Sequence, residues 1–438
     1  MSNFQPVNFE KERAFLVAAE VRTARLLLSL EDSLSELELL ANTAGMVVVG
    51  KASQRMHRID PNTYIGSGKV EEIQQAAVDA GTQVVIFDDE LSPRHLRELE
   101  KHFGEEIKVL DRSALILDIF AQHAHTREGI LQVELAQYEY RLPRLTRQWT
   151  HLARQAGGGG ARGGTGGVGL RGPGETQLEV DRREISRKIL KLKTDLEHVR
   201  AQRSQHRQQR TRAGIPVIAL VGYTNAGKST LLKALSGSDV YIADQLFATL
   251  DPLARRIDLP SGRHVVLTDT VGFIQKLPTT LIAAFRATLE EVTEADLLLH
   301  VVDTAHQNVL QHIESVEDTL AEIEVPDIPR ILVWNKIDQY DQTYLPERIP
   351  GDDYTDEVSV SAQTGNGLDE LRQKIESVLT ARLHRVRLLL PYQRGELVSE
   401  LYDTGSVETQ EHTDDGVLLT VQIPLSLYEK YKAYQITG

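Results

Sequence analysis

The chain has 438 residues, 41% of them apolar, with a net charge of −14 and no cysteine. This length suits two to four domains with sizeable cores, and the lack of cysteine excludes disulfides, thiol chemistry and Cys-bound metal. No run approaches the roughly 18 continuous apolar residues of a membrane span, and the N-terminus lacks a leader pattern, so a soluble, cytoplasmic monomer is expected, with any membrane association weak.

The charge is uneven. Residues 141–212 hold 17 Lys/Arg and 6 Asp/Glu, a local +11 that leaves −25 for the remainder. A single basic arm on an acidic protein suggests a localised polyanion contact, against the plainer reading of a solvated basic helix.

Residues 1–113 read as an α/β domain. A helical pattern over 26–41 precedes the strand MVVVG (46–50), and TYIGSGKVEEI turns into a helix from Val70. The strand VVIFDD (84–89), a helix over 93–102 and a short strand ending at Asp111 follow. This alternation predicts a small parallel sheet. Gly66, Ser67, Gly68 and Lys69 carry part of a phosphate-loop motif without its full spacing. The favoured reading is a helix start, with glycine turning the chain and serine capping, and the alternative is a second nucleotide site.

Residues 114–213 read as an arm. Leu131, Leu135, Tyr138, Leu142 and Leu145 recur at heptad spacing, with Pro143 expected to kink or shift that helix. Of the next 18 residues (157–174), 11 are glycine, and Arg162 and Arg171 are the sole charges. A second helix, roughly 176–209, repeats Leu178, Ile185, Ile189, Leu192, Leu196 and Val199 at heptad spacing. Two such helices around a glycine loop predict an antiparallel hairpin with the loop at its tip. Arg182, Arg183, Arg187, Lys188, Lys191 and Lys193 line the tip-proximal part. Arginine and bare backbone N–H groups suit RNA, and the competing reading is a disordered insertion.

Residues 214–383 open on VIALVGYTNAGKSTLLKAL. An apolar strand, then Gly222, Gly227, Lys228 and Ser229 in the spacing G-x-x-x-x-G-K-[ST], then helix formers make a phosphate-binding loop. Tyr223, Thr224, Asn225, Ala226 and Thr230 complete it. Lys228 would reach the β- and γ-phosphates and Ser229 would ligate Mg²⁺. In LFATLDP, Phe247 and Ala248 lead to Thr249, placed to complete the Mg²⁺ shell while a γ-phosphate is present; a helix cap or turn is the rival role. A second apolar strand ends at Asp269, Thr270, Val271 and Gly272, where Asp269 would hold Mg²⁺ through water and the Gly272 N–H would sense the γ-phosphate. A fourth strand ends in N-K-x-D. Asp338 can accept from guanine N1–H and the exocyclic amine, a donor pair adenine lacks, so GTP is expected over ATP. Asn335 positions that loop, the Lys336 stem can lie over the ring, and backbone N–H groups of Ser361 and Ala362, next to Gln363, would meet guanine O6. After Gly272 stands Phe273 rather than glutamine. It cannot orient water, so slow hydrolysis stimulated by a partner is expected. Asn225 could ligate a monovalent cation or satisfy loop backbone. Residues 384–438 read as a small α+β tail: a helix, strands over 407–412 and 417–423, and a final helix.

GYTNAGKST, FATLDP, DTVGF, NKID and SAQTG, preceded by GGGGARGGTGGVGLRGPGETQLEVDRR and by YIGSGK, resemble the HflX family over nearly the whole chain. The resemblance implies a P-loop GTPase domain with a mostly parallel, doubly wound sheet, an N-terminal α/β domain with an antiparallel helical hairpin, and a small C-terminal α+β domain. It implies a GTP-hydrolysing factor that binds the large ribosomal subunit and its RNA, inserts the arm near the peptidyl-transferase centre and splits stalled ribosomes. It assigns 157–174, with Arg162 and Arg171, to ribosomal RNA contact and associates an ATP site with the region of Gly66 to Lys69. Two alternatives are a GTP switch that regulates another RNA or protein partner, and an ATP-driven RNA remodeller using the N-terminal domain.

Overall fold

The computed structural model describes residues 11–22, 27–145, 173–212, 215–237, 246–247, 253–277, 291–339, 354–381, 383–404, 406–423 and 425–436. Contacts divide the chain into two units. The first is Met1–Glu197 with Lys276–Ala284, and the second is His198–Gln275 with Phe285–Gly438.

The first unit is built on four parallel strands, β1 (Arg13–Val21), β2 (Val47–Met56), β3 (Val84–Phe87) and β4 (Lys108–Asp111), in the order β2-β1-β3-β4. Helices α1 (Leu30–Thr43), α2 (Ser67–Asp79) and α3 (Pro93–Phe103) connect them. Phe15, Val17, Val85 and Phe87 pack against Val70, Ile73 and Ala77 of α2 and Leu99 and Phe103 of α3. β1 has a neighbour on each side, so the chain reverses its winding there. In open α/β sheets ligands lie at such a switch point, outside the carboxyl ends of the strands. The parallel sheet agrees with the sequence reading, which lacks β1 and the helix α4 (Arg112–His123). Asp111 caps α4 by accepting from the Ala114 N–H at 2.8 Å.

The arm departs from its expected course at Pro143. Helix α5 (Arg127–Arg141) ends there in a 3₁₀ turn, Leu142–Arg144, so the heptad does not continue to Leu145. Proline lacks the N–H for another helical bond and its ring clashes with the preceding turn. Arg144 lies 3.7 Å over the Tyr140 ring and donates to the Leu91 carbonyl at 2.7 Å, which anchors the turn. Helix α6 runs unbroken over Pro173–Arg212, 40 residues. Pro173 and Gly174 therefore belong to the helix, where a first-turn proline is tolerated. Leu131, Leu135 and Tyr138 of α5 pack against Ile189, Leu192 and Leu196 of α6, and Lys193 pairs with Glu139 at 2.9 Å. Residues 157–172, with Arg162 and Arg171, lie outside the described residues.

The second unit holds a six-stranded sheet of β5 (Val217–Val221), β6 (Leu253–Asp258), β7 (His264–Asp269), β8 (Leu297–Asp303), β9 (Arg330–Asn335) and β10 (Asp356–Ser359). Its order is β10-β9-β8-β5-β7-β6, and the β6–β7 pair is antiparallel. α7 (Lys228–Ser236), α8 (Val309–Glu322) and α9 (Leu368–Ala381) accompany it. Covered on both faces, β8 is buried through its first six residues and reads as a continuous apolar run. A three-stranded antiparallel sheet follows: β11 (His384–Leu390), β12 (Ser406–Thr413) and β13 (Gly416–Ile423), order β11-β13-β12, with α10 (Gly395–Thr404) and α11 (Leu425–Tyr431). Leu388, Leu390, Leu401, Leu419, Val421 and Tyr431 form its core. Among the described residues no helix is long and apolar enough to cross a membrane.

Candidate nucleotide site

The site grows from the end of β5, at the point where β7 and β8 flank it on opposite sides. Gly222 follows with a φ of +151°, and a Cβ there would collide with the Val301 carbonyl. Gly227 has a φ of +94°, and its Cβ would collide with the Asn335 amide. Only glycine meets both the conformation and the space at these two positions. The loop between them feeds α7, whose first turn holds Lys228, Ser229 and Thr230. The Lys228 ammonium donates to the carbonyls of Gly222 and Tyr223 at 3.0 and 2.8 Å, which closes the loop around it. Burial pulls this amine down from 10.5 to about 8, although Asp269 opposes the shift. Such a group gains most from an incoming anion.

Ser229 Oγ donates to Asp269 Oδ2 at 2.6 Å. The first turn of α7 and the end of β7 thus bring two hard oxygens together, a donor set that suits Mg²⁺. Gly272 stands so close that a Cβ would lie 2.9 Å from Thr224 Cα and 3.1 Å from Lys228 Nζ. Its backbone is therefore beside the Lys228 ammonium. Thr270 and Val271 are buried, so this segment can offer a ligand its backbone. The Thr224 hydroxyl is buried and has no hydrogen-bond partner among the described residues. Phe273 is 2% exposed; its N–H donates to the Gly222 carbonyl at 3.1 Å, and its own carbonyl accepts from Thr224 at 2.8 Å. Its ring belongs to the interior, in keeping with an inability to hold water. Asn225 is exposed at the loop tip with a φ of +60°, and Ala226 is buried.

On the base side, Asn335 is 1% exposed and spans two loops. Its amide donates to the Ala226 carbonyl at 2.9 Å, and its Oδ1 accepts from the Ala362 N–H at 3.0 Å. Lys336 has a φ of +64° and pairs with Asp303 at 2.7 Å. Asp338 is exposed on the 3₁₀ turn Ile337–Gln339. The N–H groups of Ser361 and Ala362 bond inside the loop, to the Asn366 carbonyl and to Asn335 Oδ1, both at 3.0 Å. Ser361 and Ala362 are buried, whereas Gln363 next to them is exposed.

Phe247 is described, with a φ of +59° and 3% exposure. Ala248 and Thr249 lie outside the described residues. Arg182, Arg183, Arg187 and Lys188 are exposed along α6, and Lys188 rests 5.3 Å over the Tyr138 ring. Gly66 to Lys69 form a helix start in which Gly66, not serine, is the cap and no side chain caps it. Lys69 pairs there with Glu72 at 2.7 Å. The sequence reading has no role for the Tyr223 hydroxyl, which accepts from the Gln275 N–H at 2.9 Å. No pattern in the chain flags that contact.

Family models match residues 31–121 (GTP-binding GTPase N-terminal), 123–210 (GTP-binding GTPase Middle Region), 217–336 (50S ribosome-binding GTPase) and 350–432 (HflX C-terminal domain). A GTPase HflX of Caldanaerobacter subterraneus subsp. tengcongensis is 44% identical over 98% of this chain and 95% of its own length. A GTPase HflX of Escherichia coli K12 is 46% identical over 90% of each. Among solved structures, a GTP-binding protein of Sulfolobus solfataricus in complex with GDP is 24% identical over 84% of this chain and 99% of its own, with a TM-score of 0.42. A nucleotide loop built as its motif requires, models matched in order between residues 31 and 432, and relatives aligned along nearly their full length lead to one conclusion: the chain belongs to the HflX family of GTPases.

Proposed function

We propose that this GTPase works on the ribosome, binding the large subunit and its RNA through the glycine-rich arm and splitting stalled ribosomes. GTP binding orders the switch segments and favours the bound arm; hydrolysis releases the factor. The observation that carries this reading is α6: 40 residues of helix, ~60 Å at about 1.5 Å per residue, tied to α5 by an apolar seam and exposing Arg182, Arg183, Arg187 and Lys188. A seam of this kind gives a stiff lever, and its basic face suits phosphates. The description of the model that matches residues 217–336 supports a large-subunit partner.

At the nucleotide, Lys228 would hold the β- and γ-phosphates, Asp338 the guanine edge and the Gly272 N–H the γ-phosphate. Ser229 and Asp269 would hold Mg²⁺, with Thr249 joining them. When bound, Mg²⁺ neutralises charge on the β- and γ-oxygens. Asn225 would supply an oxygen to a monovalent cation. With Phe273 in the interior, the hydrolytic water is oriented by a group outside the Gly272 segment, and stimulation by the ribosome follows.

Co-sedimentation tests the reading. The full chain with a non-hydrolysable GTP analogue is expected to pellet with large subunits, and with GDP to stay in the supernatant. Deleting residues 157–174 should abolish pelleting while GTP affinity stays within about 2-fold, because ribosome contact and nucleotide contact use different residues. Equal pelleting with and without the arm loop would overturn the role given to the arm.

A further inference from the structure

One side chain in the phosphate loop has nothing to do in the protein alone. Thr224 follows Gly222 and Tyr223, and its N–H donates to the Phe273 carbonyl at 2.8 Å, while the Phe273 N–H donates to the Gly222 carbonyl at 3.1 Å. The Tyr223 ring lies flat against His312 of α8, with centroids 3.8 Å apart, and its hydroxyl accepts from the Gln275 N–H at 2.9 Å. The loop therefore fixes the Thr224 backbone by itself. A Cβ built on Gly272 would lie 2.8 Å from Thr224 Cγ2, 2.9 Å from Thr224 Cα and 3.1 Å from Lys228 Nζ. The threonine side chain, the lysine ammonium and the Gly272 backbone thus converge on one small space.

The other hydroxyls around this space are spent. Ser229 Oγ donates to Asp269 Oδ2 at 2.6 Å, Thr268 Oγ1 to the Ile218 carbonyl at 3.1 Å and Thr270 Oγ1 to the Leu220 carbonyl at 2.5 Å. Thr224 is 7% exposed, and its buried Oγ1 has no hydrogen-bond partner among the described residues. A buried hydroxyl without a partner is destabilising, so one kept at the centre of a site calls for a ligand. A hydroxyl both donates and accepts, the two functions that a glutamine amide also offers. Phe273, where a glutamine would stand, offers neither.

We propose that Thr224 is a catalytic residue for GTP hydrolysis, its hydroxyl donating to a γ-phosphate oxygen and accepting from the attacking water. It thereby holds the water against the phosphorus, as the glutamine amide does in GTPases that carry one after the glycine. In the step itself the water oxygen bonds to the γ-phosphorus as the bond to the β–γ bridging oxygen breaks. GDP leaves with that electron pair, and the water's proton passes to the released phosphate. The hydroxyl ends as it began, so its contribution is alignment in a site already organised. The proposal rests on the γ-phosphate lying between Lys228 and the Gly272 N–H, and it is independent of any ribosome.

The full chain is assayed for GTP hydrolysis without ribosomes. Thr224→Val keeps the shape and removes the hydroxyl; it is expected to lower kcat about 30-fold, with KM changed by less than about 3-fold. Thr224→Ser, which restores the hydroxyl, should recover most of the rate. Thr224→Ala should match Thr224→Val and replaces it should valine fold poorly. The melting temperature of nucleotide-free Thr224→Val should hold or rise, because an unpaired buried polar group has gone. A wild-type kcat in both hydroxyl-free variants overturns the proposal. So does a loss confined to KM, a serine variant as slow as the valine one, or a fall in melting temperature that assigns the hydroxyl to the fold. Lys228→Ala, measured alongside, keeps the premise separate: GTP binding that survives it withdraws the phosphate placement, whereas its loss beside a wild-type rate in Thr224→Val withdraws the hydroxyl's role alone.

Discussion

Alanine at Lys228 is expected to weaken GTP binding by about 100-fold or more and to leave no measurable turnover. Two losses coincide there. The side chain is 6% exposed and supplies the one ammonium that closes the phosphate loop, through the Gly222 and Tyr223 carbonyls. Without it, both carbonyls lose their charged donor, and phosphate meets inward-facing oxygens in place of a cation. The amine's pH response provides an internal control. In the free protein burial brings it down to about 8, and a bound polyphosphate raises it again. Below pH 8 the lysine is already charged, so affinity should be flat. Above pH 8 binding must take up a proton, so affinity should fall by up to about tenfold per pH unit. Titration with a fluorescent GTP analogue between pH 6.5 and about 9.5 reads both effects. The variant should lack the alkaline slope. A variant that binds within a few-fold of wild type would remove Lys228 from the phosphate site.

Asp338→Asn is expected to lower GTP affinity about 100-fold and to favour xanthosine triphosphate in its place. The reasoning is donor and acceptor matching. Guanine offers N1–H and an exocyclic amine to a carboxylate; an asparagine turns one acceptor into a donor and faces an N–H with an N–H. Xanthine replaces the exocyclic amine with a carbonyl, which accepts from that new donor. The turn carrying Asp338 is held from behind, by Asn335 bridging Ala226 and Ala362 and by Lys336 on Asp303, so it cannot easily retreat from the mismatch. Competition binding with the two nucleotides decides the matter; unchanged GTP affinity would place the guanine contact elsewhere.

The nucleotide loop was legible because its chemistry is written in contiguous residues. Gly222, Gly227, Lys228 and Ser229 need their spacing to work at all, and each strand that feeds the site is an apolar run with a polar residue at its carboxyl end. β1, the second strand in the N-terminal sheet order, was harder to see: Ala14 to Ala18 are buried, but the strand is flanked by charges and no turn signal introduces it. β6 and β11 were missed for the opposite reason. Both are edge strands, and alternating charges such as Arg255, Arg256, Arg385 and Arg387 disguise their apolar faces. Pro143 reads as a kink or shift, and the structure replaces the helix there with a 3₁₀ turn, because proline cannot supply the next helical N–H. The Lys276–Asp88 pair joins residues 188 apart in sequence, and no local pattern could reveal it. The engaged N–H groups of Ser361 and Ala362 were likewise invisible, because their partners, Asn366 and Asn335, are set by loop closure.

The central claim is that a guanine nucleotide governs ribosome splitting through the basic arm, and light scattering of intact ribosomes mixed with the protein tests it most directly. With GTP or its non-hydrolysable analogue the signal should fall as particles separate; with GDP, or with protein lacking residues 157–174, it should hold steady. A fall of equal size in GDP, or in the loop-deleted protein, would contradict the account.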